Sequence, residues 1–223
     1  MAELELLTAA DLVAEMLARP ESACITCSFQ VEDMVVLDLA RRIRPDIPVL
    51  FLETGYHFAE TYAYRDRYAG QWNLNLVNLL PKTTLAEHES QFGKLYATSP
   101  TECCNIRKVE PLFRGLEGYQ LWLTGLRREQ SPTRANLKKV ETHTLPGGKS
   151  LLKISPVADW TSRDVWAYIK ANHIEPLPLY DQGFTSIGCE PCTALPADPG
   201  NPRSGRWGGN KLECGIHTFS EKK

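Results

Sequence analysis

Four short apolar runs punctuate the first half of the chain, each separated from the next by a stretch with helical spacing. The runs are Ala23-Cys24-Ile25-Thr26-Cys27-Ser28, Val49-Leu50-Phe51-Leu52, Leu74 to Leu80 and Leu121-Trp122-Leu123-Thr124. Asp33 to Ile43, Phe58 to Tyr68 and Leu85 to Leu116 read as the intervening helices. Such runs suit strands buried on both faces. Strands that alternate with helices pair in parallel, because a helical crossover returns the chain to the same end of the sheet. The prediction is an α/β fold whose parallel sheet is flanked by helices on both faces.

Other segments extend this frame. Leu4, Leu7, Leu12 and Met16 place a helix within residues 1–19, ended by Pro20. Pro146-Gly147-Gly148-Lys149 lies between the alternating halves of Val140 to Ile154, a hairpin signal. Thr161 suits the N-cap, and Asp164 the third position, of a helix reaching Asn172. Beyond Ile174 the chain is rich in Pro and Gly without regular pattern. One domain over residues 1–200 and a flexible C-terminal tail over 201–223 are expected.

A formal net charge of −2 argues against a general nucleic-acid binder, which presents a strongly basic face. No apolar run is long enough to span a bilayer, and the first residues lack a secretory pattern, so a cytoplasmic protein without a membrane partner is expected. In a reducing compartment the seven cysteines point to metal binding or catalysis rather than to disulfides.

In open α/β sheets ligands sit at the carboxyl ends of strands, so the strand-to-helix turns are the places to look. The first, Ser28-Phe29-Gln30-Val31-Glu32-Asp33, offers a hydroxyl and helix-start amides to a phosphate, with Ser28 as a plain N-cap the bland alternative. The second, Glu53-Thr54-Gly55-Tyr56, has a glycine that permits close backbone approach. The third, Thr124-Gly125-Leu126-Arg127-Arg128, puts guanidinium groups at a strand end, where planar forks suit phosphate or sulfate. Together they describe an anionic nucleotide site.

Cys103-Cys104 and Cys189-Glu190-Pro191-Cys192 add four thiols, enough for zinc or a [4Fe-4S] cluster. Adjacent cysteines are unusual for structural zinc, where a pair lies two to four residues apart, so the cluster is favoured. Lys108 lies four residues after Cys104 and shares its helix face. Cys24 and Cys27, three apart in a strand, point to opposite faces and read as core. Cys214 stands apart on the tail, with His217 after it and Arg203, Arg206 and Lys211 before it. Cationic neighbours favour a thiolate, and a tail can offer that thiolate first to a ligand and then to a partner. The bland alternative is a frayed end with an incidental thiol.

Four segments resemble the thioredoxin-dependent sulfonucleotide reductases, specifically the iron–sulfur assimilatory adenylyl-sulfate reductases. They are Cys103-Cys104-Asn105-Ile106-Arg107-Lys108, Thr124-Gly125-Leu126-Arg127-Arg128-Glu129-Gln130-Ser131, Asp181 to Thr193 and Glu213-Cys214-Gly215-Ile216-His217. The resemblance implies an adenine nucleotide alpha hydrolase-like (PP-loop) fold, a [4Fe-4S] cluster, and reduction of adenylyl sulfate to sulfite and AMP in sulfate assimilation. It matches Cys103, Cys104, Cys189 and Cys192 to cluster ligands and Cys214 to the nucleophile. Lys108, Arg127, Arg203, Arg206 and His217 match groups around the phosphosulfate, and Ser28, Thr54 and Gly55 match the nucleotide-binding turns. The implied partner is a thioredoxin or glutaredoxin-like reductant, with homo-oligomerisation left open. The sequence departs from the pattern at Phe29-Gln30, where related phosphate loops carry glycine, and at Gly208-Gly209-Asn210, where further tryptophans and an acidic residue are usual. Alternatives are a reductase of the 3'-phosphorylated nucleotide, a PP-loop ATP pyrophosphatase and a zinc-stabilised nucleotide-binding module.

Overall fold

The computed structural model describes residues 2–198, 200–209, 211 and 213–216. Its centre is a six-stranded sheet in the order β3-β2-β1-β4-β6-β5, formed by β1 (Ala23–Thr26), β2 (Pro48–Leu52), β3 (Asn75–Leu79), β4 (Leu121–Leu123), β5 (Val140–Thr144) and β6 (Ser150–Ile154). The first four strands and β6 pair in parallel, and β5 closes one edge as the antiparallel arm of the expected hairpin. The helices are α1 (Ala9–Leu17), α2 (Val31–Arg41), α3 (Ala59–Gln71), α4 (Leu85–Phe92), α5 (Leu95–Thr98), α6 (Pro100–Cys104), α7 (Glu110–Leu116) and α8 (Ser162–Ala171).

Each face of the sheet has its own apolar core, and alternation along the strands assigns residues between them. Ile25, Val49 and Phe51 face the larger core with α1, α2, α3 and α8. Cys24, Leu50 and Trp122 face a smaller one with Leu112 and Leu116 of α7. Cys27 lies in the first core and Cys24 in the second, as the three-residue spacing predicts. The capping box of α8 forms as expected, Thr161 Oγ1 accepting from the Asp164 N–H at 3.2 Å.

Two expected helices are broken, each for a local reason. A 3-10 turn, Glu3–Leu6, precedes α1, because Thr8 caps a new start by accepting from the Asp11 N–H. The stretch Leu85 to Leu116 is divided into α4, α5, α6, a π turn (Asn105–Val109) and α7. Gly93, at φ +68, ends α4, and Pro100 opens α6. The π turn carries Arg107 and Lys108, in keeping with the tendency of such bulges to mark functional sites.

Strand order runs outward from β1 to β2 and β3 on one side and begins again at β4 on the other. The crevice at the carboxyl ends of β1 and β4 is therefore the topological switch point, where doubly wound sheets bind ligands. Among the described residues no helix is long and apolar enough to cross a membrane.

Candidate active site

A cleft of about 660 Å³ opens at this switch point, lined by the β1 and β4 turns, Lys108 and the segments around Ser186, Arg203 and Cys214. In the β1 turn Phe29 takes a left-handed backbone, φ +61, the conformation glycine supplies elsewhere. Its ring is fully buried, edge-on to Phe51 at 5.8 Å and Tyr64 at 6.3 Å. The tight turn is kept, and aromatic packing holds the side chain in it.

Ser28 is not the N-cap; that position is Gln30. The Ser28 hydroxyl and N–H instead donate to one oxygen of Asp33, at 2.5 and 2.7 Å, while the other oxygen accepts from the Gly125 N–H at 3.1 Å. Asp33 thus ties the β1 turn to the β4 turn. Gly125 is required there, because a Cβ would lie 2.3 Å from that carboxylate. Burial pushes the Asp33 carboxyl up to about 6.

The cations of the cleft differ in how far their charge is already matched. Arg127 is buried and paired with Glu32 at 2.9 Å and Glu129 at 2.7 Å. Arg206 is buried with its guanidinium over the Trp207 ring at 4.6 Å, and its Nε has no hydrogen-bond partner among the described residues. It fits only because residue 188 is glycine: a Cβ there would come within 2.2 Å of it. Arg203 stands 3.9 Å from Glu213 and donates to Ser186 Oγ at 3.4 Å. Lys108 is buried between the cleft and a second, smaller void. Burial alone would depress its ammonium, but the sulfurs of Cys189, Cys214 and Cys104 raise it above the ordinary value. His57 is held neutral, its titration lowered to about 4 by burial and by Lys108.

Cys103, Cys104, Cys189 and Cys192, the four thiols expected to act together, line that second void with Tyr56, Tyr96, Arg107, Lys108 and Trp207. All four are free and buried. Burial, and then the charges of its three companions, push Cys103 up to about 12. Among the described residues no three His, Cys, Asp or Glu side chains are grouped to hold one metal ion. Four sulfurs around a void, with no carboxylate or imidazole among its described lining residues, form a soft donor set that fits an iron–sulfur cluster.

Thr54 and Gly55 line neither the cleft nor the second void but touch residues that line the latter. Thr54 Oγ1 lies 3.4 Å from Cys189 Sγ, and its carbonyl accepts from Arg107 Nε. Gly55, at φ +76, leaves room for the Arg107 guanidinium. The Thr54 side chain of this strand-to-helix turn faces Cys189.

Cys214 is half-buried against the four-cysteine cluster and lines the cleft, near Lys108, Cys104, Arg203 and Arg206. The structure thus brings Cys214, Lys108, Arg203, Arg206, Ser28 and Arg127 to one cleft. His217 lies outside the described residues. Sequence reading missed Asp33, Arg134 and Glu213. Glu213 stood only as a letter beside Cys214 and Arg134 only in a basic stretch, and nothing in either predicts that they meet across 79 positions.

Residues 22–195 match the phosphoadenosine phosphosulfate reductase domain. The chain is 46% identical over 198 residues to the adenosine 5'-phosphosulfate reductase of Mycobacterium tuberculosis, covering 86% of this chain and 77% of that one. A crystal structure of the phosphoadenylyl-sulfate reductase from Candida auris, a phosphate complex, superposes with a TM-score of 0.74 at 25% identity, over 85% of this chain and 91% of that one. Yeast FAD synthetase, with a TM-score of 0.61 at 16% identity over 87% and 67% of the two chains, shares the fold.

Proposed function

Because the chain belongs to the phosphoadenosine phosphosulfate reductase domain family, we propose that its cleft reduces adenylyl sulfate to sulfite and AMP in sulfate assimilation, with Cys214 as the nucleophile. The observation that carries this reading is the placement of Cys214 in a cation-lined cleft at the switch point, beside Lys108 and Arg206.

The Cys214 thiolate attacks the sulfur of adenylyl sulfate. A sulfur–sulfur bond forms as the bond from that sulfur to the bridging phosphate oxygen breaks, and AMP departs with the electron pair. Lys108, Arg203 and Arg206 neutralise charge that would otherwise repel the incoming thiolate. Arg127, already shared between Glu32 and Glu129, shapes the wall of the nucleotide end. In this reading Ser28 and the amides that open α2 receive the phosphate, and His217 keeps the phosphosulfate role that the resemblance implies.

A thiol of a thioredoxin or glutaredoxin-like reductant then attacks Cys214 Sγ. Sulfite leaves with the electron pair, and the second thiol of the reductant resolves the mixed disulfide. Both electrons come from the partner. Cys103, Cys104, Cys189 and Cys192 would hold a [4Fe-4S] cluster, which when bound supplies a fixed negative charge beside Lys108. In this reading residues 1–200 form the cytoplasmic enzyme's body and 201–223 its nucleophile-bearing tail.

The test is sulfite release from adenylyl sulfate and from its 3'-phosphorylated analogue, by anaerobically purified protein with a dithiol reductant protein. The reading expects the unphosphorylated nucleotide to be the better substrate and Cys214→Ser to abolish release. Sulfite release that survives Cys214→Ser overturns it.

A further inference from the structure

Cys214 is held between two anchors. On one side the Glu213 carboxylate accepts from Arg134 Nε at 2.9 Å and Nη2 at 2.7 Å, from Ser131 Oγ at 2.9 Å and from Thr133 Oγ1 at 3.0 Å. Arg203 Nη2 stands 3.9 Å away. On the other side Ile216 packs on the apolar cluster that contains Leu50, with Gly215 at φ +101 turning the chain between them.

The polar anchor differs from an ordinary surface ion pair. The Glu213 and Arg134 side chains are only 9% and 11% exposed, the guanidinium uses two nitrogens on the two carboxylate oxygens, and two hydroxyls converge on the oxygen that also takes Arg134 Nε. Exposed pairs contribute little because water screens them and loose side chains must be ordered. A buried fork whose two oxygens are both engaged is short, directional and costly to break on one side only. The loop that supplies it, Ser131 to Arg134, directly follows the β4 turn that borders the cleft. Tail and cleft wall are thereby joined one residue from Cys214.

We propose that Glu213 is the positioning residue of the tail: its fork to Arg134, closed by Ser131 and Thr133, seats the Cys214 sulfur at the cleft beside the four-cysteine pocket. The proposal rests on Cys214 being the nucleophile. Glu213 touches neither nucleotide nor reacting atoms in this role. It sets how often the thiol is in place.

The experiment uses the full chain, purified anaerobically, as wild type, Glu213→Ala, Glu213→Asp, Arg134→Ala and the Glu213→Ala/Arg134→Ala double variant. Two rates are read: alkylation of Cys214 by iodoacetamide without nucleotide, followed on its own peptide, and single-turnover formation of S-sulfocysteine. Releasing the anchor should raise alkylation about fivefold or more and slow sulfonation about tenfold or more in Glu213→Ala, with nucleotide KM changed less than about threefold. The double variant should be no worse than the more impaired single variant, since both remove one interaction. Glu213→Asp should restore part of each rate. Alkylation within about twofold of wild type in both single variants, or additive effects in the double variant, overturns the proposal. If wild type never gains a sulfonate, the reductase reading fails, while the alkylation rates still decide whether Glu213 seats the tail.

Discussion

The hydroxyl of Thr54 stands 3.4 Å from the sulfur of Cys189 and accepts the Tyr56 N–H at 3.2 Å. One buried side chain therefore joins the β2 turn to the cysteine pocket, and the pocket is part of how that turn is folded. Thr54 thereby helps fix the floor on which Lys108 and Cys214 meet.

Thr54→Val should destabilise the protein by about 1–3 kcal/mol, because it strands a buried N–H without returning any packing volume. Thr54→Ser keeps the hydroxyl and should recover most of that loss. Urea midpoints of the three proteins measure both effects.

Phe29→Gly sets two terms against each other. Glycine relieves the left-handed backbone, worth about 1–2 kcal/mol, but deletes a fully buried ring whose removal costs about 3–5 kcal/mol. Packing wins, so the variant should be less stable by roughly 1–4 kcal/mol. A variant more stable than wild type would show that the two ring contacts contribute little.

Asp33 gives the fold a pH signature. Its carboxyl titrates near 6 in the folded protein against 3.8 for the ordinary group, so between those values the folded state binds the extra proton. Its contribution must then make stability fall as pH rises from about 4 to about 6, with the full penalty present above that range. Asp33→Asn should flatten that slope relative to wild type in denaturant titrations across the window.

Gly188→Ala separates function from folding. The three atoms nearest the added methyl all belong to the end of the Arg206 side chain, which must give up its place over Trp207 while the backbone stays, so stability should fall by no more than about 1–2 kcal/mol. Displacing that cation from the cleft should cost about 10²-fold in turnover, as loss of one charge-stabilising group does elsewhere. Thermal melts and steady-state rates on the same samples check the split.

Much of this arrangement is legible along the chain. Apolar runs of strand length between helical stretches predict the parallel sheet, and the turns after β1 and β4 border the cleft because parallel strands put their ends together. Each cysteine pair is legible because its two thiols lie close in sequence, while the meeting of the two pairs around one void is the fold's doing. Three features are not. The break of Leu85 to Leu116 at Gly93 and Pro100 is masked by a helical pattern that continues on either side. Phe29 in a left-handed turn is settled by Phe51 and Tyr64, from two other elements. Glu213 and Arg134 meet only because the tail returns across the β4 side of the cleft, and local pattern holds no record of that.

The most direct test is the intact mass of the protein after adenylyl sulfate is added without reductant. One sulfonate should appear, map to Cys214, be absent in Cys214→Ser and leave as sulfite when a dithiol protein is supplied. A protein that turns over the nucleotide without ever carrying that sulfonate, or carries it on another residue, would contradict the account.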